Sequence, residues 1–596
     1  MMPFNNLCHN CRVILKQLHR RLHGTKDFHF LSSIHNNNNS QRKRVNLQII
    51  FFPTARKSSE VKEQQDNSFF ITTPIFYVNA APHIGHLHTA VLADAVQRWK
   101  TLNGSHTIFS TGTDEHGLKV QHAAGKAGVE PGVFCDQVSQ KFQNLFREAN
   151  IGTTDFIRTT EERHERAVSK FWKTLVDNDH IYKGLYEGWY CTSDEAFLTE
   201  SQVTSLVDKD GVTTKISSES GQPVEWMTEE NYMFKLSKFG SHLTDWINRG
   251  VIFPSKFESL VRSWLADGLP DLSVSRQRDR LQWGISVPGD HSQTIYVWLD
   301  ALVNYLTVAG YPYGGFHWPP DCHVIGKDIL KFHAVYWPAF LMAAGLEPPK
   351  RIVCHSHWTV NNEKMSKSRG NVVDPVERIQ MFSADGMRYF LLKESVPHSD
   401  GNYTDEKVMQ VINSDLVNTL GNLLQRCTSL SVNPDQVIPP LHGESFSNHF
   451  TQEEIDRYDR LLTLQERVDV HYSDFNIDKG LDIVMSELRW ANGLIQHHKP
   501  WELVKSTDQK QYLEALLHIA METLVVCGIV LQPIIPDMAD KLLTRLGVPM
   551  KNRTCTGENV WLRKMRNCGT PHSLGEQDGV LMRRLDQKVL QGRKKT

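Results

Sequence analysis

Two short stretches, far apart in the chain, carry side chains suited to handling phosphate. One is His83-Ile84-Gly85-His86 and the other is Lys364-Met365-Ser366-Lys367-Ser368. Histidines three apart fall on one face of a helix and can donate to phosphate oxygens. Gly85 lacks a side chain, so a flat base can approach the backbone beside it. Lys364 and Lys367 put two ammonium groups on a polar loop to which Ser366, Ser368 and Gly370 give freedom of movement. Such lysines suit the charge that develops on a leaving pyrophosphate. Taken singly, each stretch is also what a capped helix start or a solvated surface loop looks like. Taken together they predict one ATP site, with His83, Gly85, His86, Lys364, Ser366 and Lys367 around the nucleotide. His83, His86, Lys364 and Lys367 are the catalytic candidates.

These side chains need elements to hold them. The run Ser68-Phe69-Phe70-Ile71-Thr72-Thr73-Pro74-Ile75 reads as a strand, and Leu87, Val91, Ala95 and Trp99 recur at helical spacing after the first histidines. That is strand, turn, helix, and a helix start offers N–H groups and positive dipole to phosphate. A second strand-like run, Thr107 to Thr111, ends in Gly112-Thr113-Asp114-Glu115-His116-Gly117. A carboxylate there sits where α/β sheets bind ligands, although an Asx turn capping the next helix fits the same residues.

The two phosphate-handling stretches resemble, without a substitution, the HIGH and KMSKS signatures of class I aminoacyl-tRNA synthetases. GTDEHG, together with the runs Ile295–Tyr305 and Gly326–Pro338, looks like the methionyl subgroup. By themselves Trp298, Tyr305 and Trp337 read as core aromatics. The resemblance implies instead a methionine pocket of Ile75, Tyr77, Asp114, Trp298, Ala301, Leu302, Tyr305, Ile329, His333 and Trp337. Aromatic walls accept a thioether, and a carboxylate can pair with the substrate ammonium. It further implies Mg-ATP, methionine and tRNA(Met) as partners. Asn422 and Arg426, at i and i+4, match the subgroup's polar anticodon readers. Trp501 follows His497-His498-Lys499-Pro500 and matches its stacking residue; core and surface roles fit these three as well. Synthetases for leucine, isoleucine or valine carry a large editing domain where this chain has only about a hundred residues, and a small nucleotidyltransferase lacks the helical part. An RNA-binding scaffold with a retired site is the non-enzyme alternative.

The expected architecture is a Rossmann-type doubly wound α/β catalytic domain with a connective insertion, followed by an all-α anticodon-binding domain. The boundaries are 67–180 for the first catalytic half, 181–281 for the insertion and 282–357 for the second half. The KMSKS loop and stem-contact segment follow at 358–415, and the helical domain at 416–590. Within the insertion, 208–211 and 217–221 read as turns. In the last domain Asn476 is expected to cap a helix with Ile477, Leu481, Val484 and Leu488 inward, broken at Pro500.

Charge is unevenly spread. The chain's net charge is −1, yet residues 1–58 hold ten Lys or Arg and a single acid, Asp27, so the remainder is strongly negative. An Arg-rich, acid-poor leader reads as an organellar transit peptide, and the location expected is the mitochondrial matrix; a basic RNA-binding tail is the other reading. The acidic body can bind RNA only through local basic patches. Ten cysteines are scattered. Cys191 has Asp194 where the family's zinc knuckle would place a second cysteine, so no metal site and no structural zinc are expected. No apolar run looks long enough to cross a bilayer: the best, Leu524 to Pro536, is short and holds Pro533. Neither a membrane partner nor an added oligomerisation domain is expected, and a monomer is.

Overall fold

The computed structural model describes residues 67–586, apart from 192–195, 199, 201–202, 208–212, 219, 315–316, 366–369, 557–568 and 578. The expected leader at 1–58 therefore lies outside the described residues, as do the turn at 208–211, Asp194, and Ser366, Lys367 and Ser368.

Strand β1 (Ser68–Tyr77) is built from aromatic and β-branched residues and is buried along most of its length, as parallel strands covered on both faces are. Its register against β2 (His106–Asp114) shifts between Thr72 and Ile75. Pro74 falls in that gap and has no N–H to give the ladder. Between the strands runs α1 (Ile84–Leu102), with Leu87, Val91, Ala95 and Trp99 all inward. After α2 (Pro131–Glu148) come β3 (Asp155–Arg158) and α3 (Glu162–Asp177). The long antiparallel pair β4 (Ile181–Cys191) and β5 (Glu225–Phe234) starts the insertion. Cys191 is buried at the end of β4.

β6 (Ile252–Phe253) is two residues long and lies inside the stretch read as the insertion, yet it belongs to the main sheet. Two residues show no periodicity; their partner, Ile352–Val353, is a hundred positions later. Then follow β7 (Ser275–Gln277), β8 (Asp290–Ile295), α4 (Val297–Leu302), α5 (Asn304–Val308), β9 (Cys322–Gly326) and β10 (Ile352–His355). The main sheet is ordered β3-β2-β1-β9-β10-β6, every neighbouring pair parallel. Its winding reverses between β1 and β9, where such sheets open a ligand crevice at the strands' carboxyl ends.

β11 (Trp358–Val360) and β12 (Glu363–Lys364) form a small hairpin leading to the second motif. α6 (Ala384–Glu394) and α7 (Asn422–Thr428) begin the helical part. It continues through α8 (Leu464–Tyr472), α9 (Ile477–His498), α10 (Pro500–Leu503) and α11 (Lys510–Leu531). Ile477, Leu481, Val484 and Leu488 of α9 are inward. Asn476 occupies the N-cap position but makes no cap bond; its side-chain amide donates to the Asp474 carbonyl at 3.3 Å instead. Lys499 turns left-handed at φ 48° and Pro500 opens the next helix, so the expected break stands at Pro500. The helix Thr507–Leu531, which includes α11, corrects the sequence reading: by length and composition it is apolar enough to cross a bilayer. Here it is packed nearly all round by other helices, and its apolar residues are core.

The catalytic and helical parts share one hydrophobic core. Trp99 of α1 meets Tyr472 of α8 edge-on at 5.1 Å, and its indole donates to Asp469 at 2.7 Å. A second core gathers the other half of the sheet around Trp337.

Candidate active site

A cleft of about 370 Å³ opens at the switch between β1 and β9. His83, Gly85 and His86 form one wall, Asp114 and α4 the other, and Met365 of the second motif reaches its rim.

The two histidines begin α1 in an unusual way. His83 is the N-cap, with its Nδ1 accepting from the Gly85 N–H at 3.0 Å. His86 reciprocates, its Nδ1 accepting from the His83 N–H at 3.1 Å. This is a capping box in which imidazoles replace the usual hydroxyl and carboxylate. The rings stack with centroids 3.8 Å apart. Because Nδ1 accepts in both, each neutral ring carries its proton on Nε2, which makes it a donor. His86 is further held between Phe76 and Phe142, at 5.1 and 5.3 Å. Gly85 is needed for more than access: a Cβ there would stand 2.9 Å from His83 Cε1.

Nine of the ten expected methionine-pocket residues line the cleft: Ile75, Tyr77, Asp114, Trp298, Ala301, Leu302, Tyr305, Ile329 and His333. The Trp298 ring stacks on Phe332 at 3.6 Å. His333 donates from Nδ1 to the Ile329 carbonyl at 3.0 Å, so Nε2 accepts from the Tyr305 hydroxyl at 2.8 Å. Burial pulls the His333 imidazole down to about 4 and pushes the Tyr305 hydroxyl far above its usual range. Both are neutral at physiological pH. The cleft at this end therefore presents an uncharged wall, with Asp114 as the carboxylate opposite. Trp337, expected in the pocket, does not reach it. It is fully buried behind Tyr305, with its ring 6.0 Å away and its indole donating to His323 Nε2 at 3.3 Å.

A family model described as "tRNA synthetases class I (M)" matches residues 69–428. The chain belongs to the class I methionyl-tRNA synthetases. It is 51% identical over 538 residues to the mitochondrial methionine–tRNA ligase of Homo sapiens, spanning 87% of this chain and 91% of that protein. It is 45% identical over 512 residues to the probable mitochondrial enzyme of Dictyostelium discoideum, covering 83% and 89%. The methionyl-tRNA synthetase of Mycobacterium tuberculosis in complex with methionyl-adenylate superposes with a TM-score of 0.80 at 36% identity, over 86% of this chain and 99% of that one.

Within this synthetase, the loop after β2 shows what the sequence reading missed. Glu115 turns away from the cleft and receives Arg158 of β3 through Nε at 2.7 Å and a second nitrogen at 2.9 Å. His116 turns the other way and donates to Asp300 of α4 at 2.7 Å, and His164 of α3 donates to the same carboxylate at 2.8 Å. Burial alone would raise Asp300, but His116 and His164 hold it at about 2. The carboxylate thus clamps the Asp114 loop to the helix that bears Trp298, Ala301 and Leu302. His355 also lines the cleft. It donates from Nδ1 to the Ser356 carbonyl at 2.9 Å and lies 2.8 Å from the Thr89 hydroxyl on α1. Spacing alone could not have found these residues, because each partner comes from a different element.

Lys364 is described through its backbone, paired with Thr359 across β11 and β12. In the helical part the three expected RNA readers converge. Arg426 donates to Gln496 of α9 at 2.8 Å, and its guanidinium lies 5.8 Å from the Trp501 ring. Asn422 is exposed one turn earlier on α7. Trp501 is 37% exposed, which excludes a core role for it.

Proposed function

We propose that the cleft binds methionine by Ile75, Tyr77, Asp114, Trp298, Ala301, Leu302, Tyr305, Ile329 and His333, and ATP by His83, Gly85, His86, Lys364, Ser366 and Lys367. The chain is a methionine–tRNA ligase, and its reaction has two steps. The methionine carboxylate attacks the α-phosphorus of ATP and pyrophosphate leaves. A hydroxyl of the terminal adenosine of tRNA(Met) then attacks the acyl carbon and AMP leaves. No side chain forms a covalent bond, so the protein acts by positioning and by stabilising charge. Asp114 pairs with the substrate ammonium. The neutral wall of Tyr305 and His333 leaves the thioether undisturbed by charge. The Nε2–H groups of His83 and His86 donate to phosphate oxygens that gain charge as the bond to pyrophosphate breaks.

The observation that carries this reading is the reciprocal imidazole cap facing the Asp114 carboxylate across one cleft. Mg2+ fits as a companion of the nucleotide, not as a resident ion. Among the described residues no cluster of three or more His, Cys, Asp or Glu could cage it, and Mg2+ is commonly held through substrate phosphates. When bound, it offsets phosphate charge. Amino-acid-dependent exchange of pyrophosphate into ATP, run across all twenty amino acids, tests the reading. Methionine alone should support exchange, and exchange driven by another amino acid would overturn it.

Trp501, Asn422 and Arg426 are proposed to read the anticodon, and the chain to work as a monomer in the mitochondrial matrix. The leader of ten cations against one acid supports the location. A fluorescent reporter fused to residues 1–58 should enter mitochondria; retention in the cytosol would refute import by that segment.

A further inference from the structure

A second cavity, of about 310 Å³, opens between the insertion and the start of α4. Glu225, Met227 and Glu229, alternate residues of β5, line one wall together with Tyr190, which pairs opposite Glu225 on β4. Alternation along a strand puts them on one face of the hairpin. Arg276 of β7, Arg280 and Tyr296 form the rest, and Val297 closes one side. Val297 also lines the first cleft, next to Trp298, so the two cavities meet there.

Adenylate formation has no use for this cavity, yet it is built from groups that are costly to bury. Glu229 and Arg276 are 5% and 6% exposed. The Arg276 guanidinium lies 5.4 Å from the Tyr190 ring and 4.5 Å from the Tyr296 ring, and donates to Ser273 and to the Ser275 carbonyl. Glu229 accepts from Asn231 at 3.2 Å and lies 3.1 Å from an Arg280 nitrogen. Carboxylate, guanidinium and aromatic faces around one gap suit a flat ligand with both donors and acceptors on its edge.

We propose that this cavity takes the penultimate base of the tRNA 3′ end, the second cytosine of the CCA terminus. The inference rests on the first cleft being the adenylate site. Acyl transfer needs the terminal ribose at the acyl carbon, so the preceding nucleotide must lie in whichever cavity adjoins, and that cavity is this one. Glu229 accepts from the cytosine amino group. Arg280 donates to the ring nitrogen and carbonyl acceptors, and the tyrosine faces give stacking of the kind proteins use for splayed single-stranded bases. A carboxylate at this place rejects uracil, which presents a carbonyl where cytosine presents an amine.

The test uses the full chain and tRNA(Met) transcripts ending in CCA or CUA. Single-turnover transfer from preformed methionyl-adenylate is measured beside methionine-dependent pyrophosphate exchange. Wild type should transfer to the CUA transcript about tenfold to a hundredfold more slowly than to CCA. Glu229→Gln should slow transfer to CCA and narrow that ratio, because a carboxamide can donate to uracil, while exchange stays unchanged. A purely structural role would slow both transcripts alike. Arg280→Ala, at a half-exposed side chain, should slow transfer to CCA even if the glutamate variant does not fold. An unchanged ratio in Glu229→Gln, an undiminished rate in Arg280→Ala, or no discrimination by wild type would overturn the inference. Absence of methionine-dependent exchange in wild type would instead overturn the reading of the first cleft, and this one with it.

Discussion

At Gly85 a single hydrogen atom matters because of what its neighbour does. A Cβ there would stand 2.9 Å from His83 Cε1 and 3.0 Å from Nδ1. The backbone can tolerate alanine in a helix, so the imidazole must give way. Gly85→Ala should therefore leave the melting temperature within a few degrees, since one cap is worth about 1 kcal/mol, while slowing adenylate formation about tenfold to a hundredfold. Parallel melting and pyrophosphate exchange measurements check it; unchanged exchange would mean that the His83 ring position is immaterial. Lys367, on the second motif, is aimed by sequence at charge that peaks in the transition state. Lys367→Ala is expected to cut the rate of adenylate formation by orders of magnitude with little change in methionine affinity. Quench flow separates the two, and weaker methionine binding with a preserved rate would sink the assignment.

Two elements show how a helix end becomes a tool. α1 begins on side chains that cap it and face substrate at once, so the geometry of the site and the stability of the helix start are one feature. At the other end of the molecule, α9 stops at a left-handed Lys499, and Pro500 restarts the chain as α10. That stop leaves Trp501 on the surface beside Arg426 of α7. Stacking a base on an aromatic face is worth roughly 1–3 kcal/mol. Trp501→Ala should thus lower tRNA charging about tenfold to a hundredfold, with pyrophosphate exchange and melting temperature preserved. A joint fall of all three would show that Trp501 packs and does not read RNA.

Across the whole molecule, one buried arginine ties the parts together. Arg388 of α6 pairs with Asp94 of α1 at 2.6 Å, both fully buried. It also donates to the carbonyls of Ala149, Asn150, Pro533 and Ile534, the last two just beyond α11. Asp94 in turn accepts from Arg98 and from the Gly152 N–H. The motif helix, the sheet's edge and the helical bundle thus meet on one ion pair. Removing one partner of a buried pair costs about 3–5 kcal/mol, because the other charge is left stranded. Arg388→Ala should lower the melting temperature by several degrees and reduce exchange and charging together, unlike Trp501→Ala. Calorimetry alongside both assays distinguishes them; a variant as stable as wild type would show that the pair contributes nothing.

Features set by neighbours along the chain were legible in the sequence. The strand–turn–helix at His83, Asp114 at a strand end, the inward stripe of α9 and the break at Pro500 all follow from local periodicity and backbone chemistry. So did most of the methionine pocket, through its two motif-bearing runs. Features that depend on partners distant in sequence were not legible. The imidazole cap was hidden because histidine is a rare capping residue. The Asp300 clamp needs α3, α4 and the β2 loop in one place. Trp337 and Trp298 are alike as residues, and only packing puts one behind the pocket and the other in it. β6 is too short to show a pattern before its partner arrives. α11 has the composition of a membrane span, and only the helices around it make it a core, since apolar surface is satisfied equally by lipid and by other apolar side chains.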